Sequence, residues 1–184
     1  FSIQAFEKNE NINEIILVLN EKWIDQYRDE YKNYILTTGG KSRSRSSLNG
    51  LLSCSEKYTN VLIHDAARPL ISQEIIDNCI RYLSSHVATT PFIDISDSLI
   101  EKNNNEVRYI NRDLIKKIQT PQGFNKNIII EALNNTNNYG GDDISALLNY
   151  NPSVNVKFFK GDKNNFKITT DKDLKILEYM INEK

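Results

Sequence analysis

The sequence predicts an α/β protein built on a mostly parallel sheet. Two observations carry that expectation. Short apolar runs of strand length alternate with longer stretches of helical period, and the runs are apolar nearly throughout rather than at every second residue. Strands of that kind are buried on both faces, which calls for helices on either side of a parallel sheet.

Taken in order, "FSIQAFEKNE" reads as the end of a helix already under way. "EIILVL" (14–19), "NYILTT" (33–38) and "NVLIHD" (60–65) are strand-length runs, separated by helical stretches at 21–31 and 44–54. Ser72 is placed to cap a helix whose apolar face is Ile75, Ile76, Cys79, Ile80 and Leu83. "VATTPFI" (87–93) is the next strand. The pattern then breaks: 97–113 reads as two short strands around Asn103, Asn104 and Asn105. A lone hairpin buries little by itself, so it reads as an arm that packs on a second subunit rather than as a loose surface hairpin. Helices at 125–133 and 142–150, a strand at 155–160 and a final helix with Thr170 and Asp173 spaced as a capping box complete the chain. The polar run 134–141 reads as a loop. No internal repeat or linker divides residues 1–184, which reads as a single domain.

Composition excludes several functions. The net charge of -1 provides no global basic field for nucleic acid. No apolar run approaches the roughly 20 residues that span a bilayer. Two cysteines and two histidines argue against a disulfide framework and a His-rich metal centre. The thiols fit a reducing compartment, with the cytoplasm as default and a plastid-type organelle for a plastid-bearing source.

The chemistry concentrates at strand ends. "NVLIHDAARPL" drives a buried strand into His64, Asp65, two alanines and Arg68, and ligands of open α/β sheets bind where strands end. Arg, Lys, Asp, Ser and Thr recur at such ends. Cations neutralise phosphate charge while hydroxyls and amides bond its oxygens, so this mix suits phosphate handling. Each residue taken alone has a plainer reading: Asp65 as a turn cap, Arg68 as a surface ion pair, Lys167 as a solvated lysine, Asp142 and Asp143 as helix N-terminal charges.

In order along the chain, "GG...R..S..NGL" (39–51), "HDAARP" (64–69), "R.......QTPQ.F" (112–124), "DD.SAL" (142–147) and "G...N.KITT..DL" (161–174) resemble the CTP-dependent polyol-phosphate cytidylyltransferases. The resemblance is strongest to those that act on 2-C-methyl-D-erythritol 4-phosphate in non-mevalonate isoprenoid synthesis. It covers nearly the whole chain, and "HDAARP" with "QTPQ.F" is its most specific part. It implies a Rossmann-like nucleotide-diphospho-sugar transferase fold, CTP and a polyol phosphate as substrates, Mg2+ as cofactor, and a homodimer joined by the arm at 97–113.

The resemblance also implies roles. Gly40 and Ser46, with Arg43 nearby, line the cytidine pocket. Asp65 supports the nucleotide and its magnesium, beside Ala66 and Arg68. Thr120 contacts the polyol phosphate, Arg112 reaches that phosphate across the dimer, and Lys167 steadies charge at the α-phosphate. Ser98 supplies the arm's hydroxyl, and Gly141 stands where the family often has Thr. Lys41 replaces a usual acid. The family's Gly-rich triphosphate loop and its Pro-Lys-Gln segment have no counterpart in these residues, so the chain as it stands is expected to be a poor enzyme. Ala67, where ribitol enzymes commonly have Val, leans toward methylerythritol phosphate over ribitol 5-phosphate. A non-catalytic nucleotide-binding module is the reading from a different class.

Overall fold

The computed structural model describes residues 1–104, 106–135 and 141–182. Chain order is α1 (Ser2–Glu7), β1 (Ile16–Leu19), α2 (Glu21–Tyr27), β2 (Ile35–Thr38), α3 (Arg43–Leu52), β3 (Asn60–Ile63), α4 (Gln73–Leu83) and β4 (Ala88–Asp94). The hairpin strands β5 (Leu99–Asn103) and β6 (Glu106–Ile110) follow, then β7 (Lys116–Ile118), β8 (Gln122–Asn125), α5 (Lys126–Asn135), α6 (Asp143–Tyr150), β9 (Val156–Lys160) and α7 (Asp171–Asn182).

Local chemistry starts the helices where polar caps stand. The side chains of Asn20, Ser42, Ser72 and Asp142 accept from the amides of Lys22, Arg45, Ile75 and Ser145 and so begin α2, α3, α4 and α6. Before α7 the expected capping box forms in both directions. The Asp173 amide donates to Thr170 Oγ1 at 3.3 Å, and the Thr170 amide donates to Asp173 Oδ2 at 2.9 Å. α2 stops at Tyr27, short of the expected Tyr31, because its last residues add no apolar face to bury.

The sheet departs from expectation. β1 pairs with β2 in parallel, and β4 pairs with β9 in parallel. However, β8 lies between β3 and β4 and runs antiparallel to both, and β7 extends the far end of β4, also antiparallel. The main sheet is therefore mixed rather than mostly parallel. β8 is not among the strands expected from the sequence, because "QTPQGF" contains Pro and Gly and lacks alternation. The Gly is what the packing requires. A Cβ on Gly123 would sit 2.6 Å from Thr89 Cγ2, 3.0 Å from Leu83 Cδ1 and 3.1 Å from Leu62 Cδ2.

Alternation along β3 divides the core. Val61 and Ile63 join Phe124, Ala88, Leu48, Ile129 and Leu147 beneath α3, α5 and α6. Leu62 joins Ile75, Ile76, Cys79 and Phe159 beneath α4 and α1. The face predicted for α4 is buried at Ile75, Ile76, Cys79 and Leu83. Burying each such side chain contributes roughly 1.5–3 kcal/mol.

The hairpin forms where expected. Asn104 turns it with φ 49°, a conformation that Asn tolerates; Asn105 lies outside the described residues. Its two faces differ. Ile100 pairs with Tyr109 and Lys102 with Val107, which puts three exposed apolar side chains on one side. Glu101 and Arg108 form an ion pair on the other. Of the loop expected at 134–141, Asn134 and Asn135 belong to the last turn of α5, and residues 136–140 lie outside the described set. No helix among the described residues is long and apolar enough to cross a membrane.

Candidate active site

Three connections open at one end of the main sheet. The turn His64–Arg68 follows β3, Gln119–Pro121 joins β7 to β8, and the loop after β9 carries Asn165 and Lys167. The N-termini of α3 and α6 add Arg43 and Asp142. Together they line a cleft of about 210 Å³ with Arg43, Asp65, Arg68, Thr120, Gln122, Gly141 and Lys167 on its wall. Opening amides of both helices are engaged within the protein, Arg45 to Ser42, Ile144 to Gln122 and Ser145 to Asp142, so the cleft's positive charge comes from side chains.

Asp65 is the centre of the charge network. Its Oδ2 lies 3.0 Å from Lys167 Nζ and 3.5 Å from Arg68 Nε, and its Oδ1 lies 3.6 Å from Arg43 Nη2. Burial alone would raise its carboxyl, but the Lys167 hydrogen bond and the Lys167, Arg43 and Arg68 charges hold it below the ordinary carboxylate value. Asp65 is therefore an anion across the neutral range. Arg43 also meets Asp143 Oδ2 at 2.8 Å, and Asp143 is fully buried. Burial keeps the Asp143 carboxyl above its usual value despite that contact, while the Asp143 and Asp65 charges more than offset desolvation at Arg43 and raise its guanidinium.

The wall is held from behind by buried polar groups. Arg68 Nη1 donates to the Asn165 carbonyl at 2.9 Å, and Gln119 Nε2 donates to the same oxygen at 3.0 Å. Asn165 Nδ2 donates to the Thr120 carbonyl at 2.8 Å, and the Ile168 amide donates to Ala67 at 2.8 Å. These bonds fix the loop that carries Lys167 to the turn that carries Asp65. Gln122 donates to Asp142 and accepts from the Ile144 amide at 3.1 Å, which anchors the start of α6. The Thr120–Pro121 peptide is cis. The Thr120 hydroxyl accepts from the Asp65 amide at 3.0 Å and faces His64 Nδ1 at 3.2 Å, so it is engaged within the protein. Burial pushes His64 down to about 4, which leaves its ring neutral.

Thus Asp65, Arg68, Lys167, Arg43, Thr120 and Gly141 share one cleft. Gly40, before α3, and Ser46, in its first turns, are not on that wall. The Gly40 amide donates to Ser46 Oγ at 3.0 Å, and a Cβ on Gly40 would meet Arg45 Cγ at 2.3 Å. Ala66 is exposed on the Asp65 turn. Arg112 and Ser98 lie at the base of the hairpin, both exposed, with Arg112 donating to the Ser96 carbonyl. Within one chain these two residues do not line the cleft. Sequence reasoning had treated Asp143 as a helix-start charge and gave Gln119, Gln122 and Asn165 no role. The "QTPQ" and "N.KITT" motifs contained the last three, but which way their amides turn is a tertiary matter.

No cluster of three or more His, Cys, Asp or Glu side chains converges among the described residues. Magnesium commonly takes one or two protein carboxylates and completes its shell with phosphate oxygens and water. Asp65 offers one anionic carboxylate at the cleft, which fits an ion carried chiefly by a triphosphate.

Comparison with known proteins agrees along the whole chain. The family profile described as 2-C-methyl-D-erythritol 4-phosphate cytidylyltransferase matches residues 1–183. The chain is 37% identical over 192 residues to the 2-C-methyl-D-erythritol 4-phosphate cytidylyltransferase of Clostridium botulinum, covering 98% of this chain and 83% of that one. It is 34% identical over 190 residues to the protein of the same name from Clostridioides difficile, covering 98% and 80%. The crystal structure of 4-diphosphocytidyl-2C-methyl-D-erythritol synthase from Anaerococcus prevotii superposes with a TM-score of 0.89 at 27% identity, over 98% of this chain and 83% of that one. The ordered motifs, the fold and these likenesses agree: the chain belongs to the 2-C-methyl-D-erythritol 4-phosphate cytidylyltransferase family of CTP-dependent nucleotidyltransferases.

Proposed function

We propose that the intact protein transfers CMP from CTP to 2-C-methyl-D-erythritol 4-phosphate and releases pyrophosphate. The observation that carries this reading is the convergence of Arg43, Asp65, Arg68 and Lys167 on one cleft. A phosphate oxygen of the acceptor forms the new bond to the α-phosphorus. The bond from that phosphorus to the bridging oxygen breaks, and pyrophosphate leaves with the electron pair. No protein nucleophile is required, so positioning and charge stabilisation are the whole task.

In this reading Lys167 leaves Asp65 for the α-phosphate oxygens, where negative charge grows. Arg68 and Arg43 keep Asp65 ionised and in place. Gly40, Ser46 and Ala66 bound the cytidine side, while Thr120 and Gly141 bound the acceptor side. Mg2+, held by the triphosphate and Asp65, would supply further charge neutralisation when bound.

The same proposal takes the chain as one Rossmann-like domain of the nucleotide-diphospho-sugar transferase kind that works as a cytoplasmic homodimer. Its support is the exposed apolar face of Ile100, Val107 and Tyr109 on the hairpin. An arm laid on a partner would bring Arg112 and Ser98 to the acceptor phosphate in the neighbouring cleft. The test is side-by-side kinetics with CTP, magnesium and either methylerythritol phosphate or ribitol 5-phosphate, reading pyrophosphate. Methylerythritol phosphate is expected to be the better acceptor by at least about tenfold in kcat/KM; a preference for ribitol phosphate would overturn the choice of acceptor.

A further inference from the structure

His64 precedes Asp65, yet its ring does not line the cleft. It packs edge-on against Phe6, with centroids 5.1 Å apart. Its Nε2 lies 3.0 Å from the Arg68 carbonyl oxygen. A carbonyl oxygen only accepts, so Nε2 carries the proton and Nδ1 is left as an acceptor. Nδ1 faces the Thr120 hydroxyl at 3.2 Å and accepts its hydrogen bond. The Thr120 oxygen then keeps its lone pairs for the Asp65 amide at 3.0 Å. The Arg68 amide closes the ring by donating to the Asp65 carbonyl at 2.9 Å. One imidazole thus links both ends of the turn to the segment before β8.

We propose that His64 is a positioning residue for the transfer reaction: through Thr120 and the Arg68 carbonyl it fixes the turn that presents the Asp65 carboxylate and the Arg68 guanidinium. The proposal rests on the functional reading above. A ring that merely filled space beside Phe6 would need neither nitrogen, and Leu would replace it without loss of rate.

The experiment uses the full chain with CTP and methylerythritol phosphate. His64→Leu is expected to lower kcat by about 10- to 100-fold, with KM for CTP changed by less than about threefold, since a displacement near 1 Å has that scale of effect. His64→Asn, which can still accept from Thr120, is expected to recover part of the loss. Thr120→Val is expected to mimic His64→Leu, and the double variant to be no slower than the slower single one. Long-range proton–nitrogen spectra of the wild type, which need no substrate, are expected to show a ring protonated at Nε2 and bare at Nδ1. An active wild type with the opposite tautomer, additive effects in the double variant, or a rate loss that tracks only a fall in Tm would each overturn the proposal. A wild type with the expected ring and no pyrophosphate release would instead count against the functional reading.

Discussion

Arg43 Nη1 meets the fully buried carboxylate of Asp143 at 2.8 Å, while Nη2 of the same guanidinium faces Asp65 at 3.6 Å. One side chain therefore neutralises an interior acid and reaches the candidate cleft. Removing it leaves the Asp143 charge buried without a cationic partner. Arg43→Met is expected to lower stability by about 2 kcal/mol in urea unfolding at pH 7, the usual penalty being discounted because a third of Arg43 reaches solvent. The double variant Arg43→Met, Asp143→Leu is expected to recover most of that loss. A single-variant loss below about 0.5 kcal/mol would show that the pair is not a structural unit.

Gly123 faces Thr89, Leu83 and Leu62, each within 3.1 Å of where its Cβ would stand. Gly123→Ala should overpack β8 against Thr89 of β4, Leu62 of β3 and Leu83 of α4 and lower stability by about 1–3 kcal/mol. Thermal unfolding measures it. An unchanged Tm would mean that these three side chains yield freely.

Stability should fall as pH drops from about 6.5 toward about 4. The sign follows from His64, whose value is depressed in the folded chain from 6.5 to about 4 by burial. Between those values the unfolded chain binds the proton and the folded chain does not, so unfolding is favoured as pH falls. The contribution is fully present above 6.5 and is lost through about 4, with a size on the order of 3 kcal/mol. His64→Gln should flatten that part of the pH profile; an unchanged slope would place the proton uptake elsewhere.

Much of this was legible in the sequence. The apolar runs gave β1, β2, β3, β4 and β9 to within two residues, because strand-length apolar stretches bounded by polar residues announce themselves even where, as in β1 and β2, the strand is only half-buried. The acids and cations at strand ends pointed to Asp65 and Arg68 and the resemblance pointed to Lys167, and the structure brings the three to one cleft. β7 and β8 were hidden. β7 is a short, mostly exposed Lys-Lys-Ile strand, and β8 buries Gln122 and Gly123 beside Phe124, with Gln122 satisfied by the Ile144 amide and Asp142 of a distant helix. Asp143 was equally opaque, as its partner Arg43 lies on another helix.

Arg112 tests the proposed dimer. It stands exposed at the base of the hairpin, away from the cleft of its own chain. Arg112→Ala should fold normally, bind CTP nearly as well and lose about 10- to 1,000-fold in turnover, since bidentate guanidinium contacts to phosphate are not copied by other side chains. Mixing these subunits with Lys167→Ala subunits under exchange should restore activity, because one site of each mixed dimer is then intact. A mixture that stays inactive despite proven exchange would place Arg112 in its own chain's chemistry or in none.

The central claim is that Lys167, now 3.0 Å from Asp65, stabilises the charge that develops on the α-phosphate. Single-turnover quench with CTP labelled in the α-phosphate, magnesium and methylerythritol phosphate measures the transfer step itself. For Lys167→Ala the account predicts a rate lower by about 100- to 1,000-fold, with CTP affinity changed far less and folding intact. A Lys167→Ala chain that forms labelled cytidylyl product at the wild-type rate would contradict it.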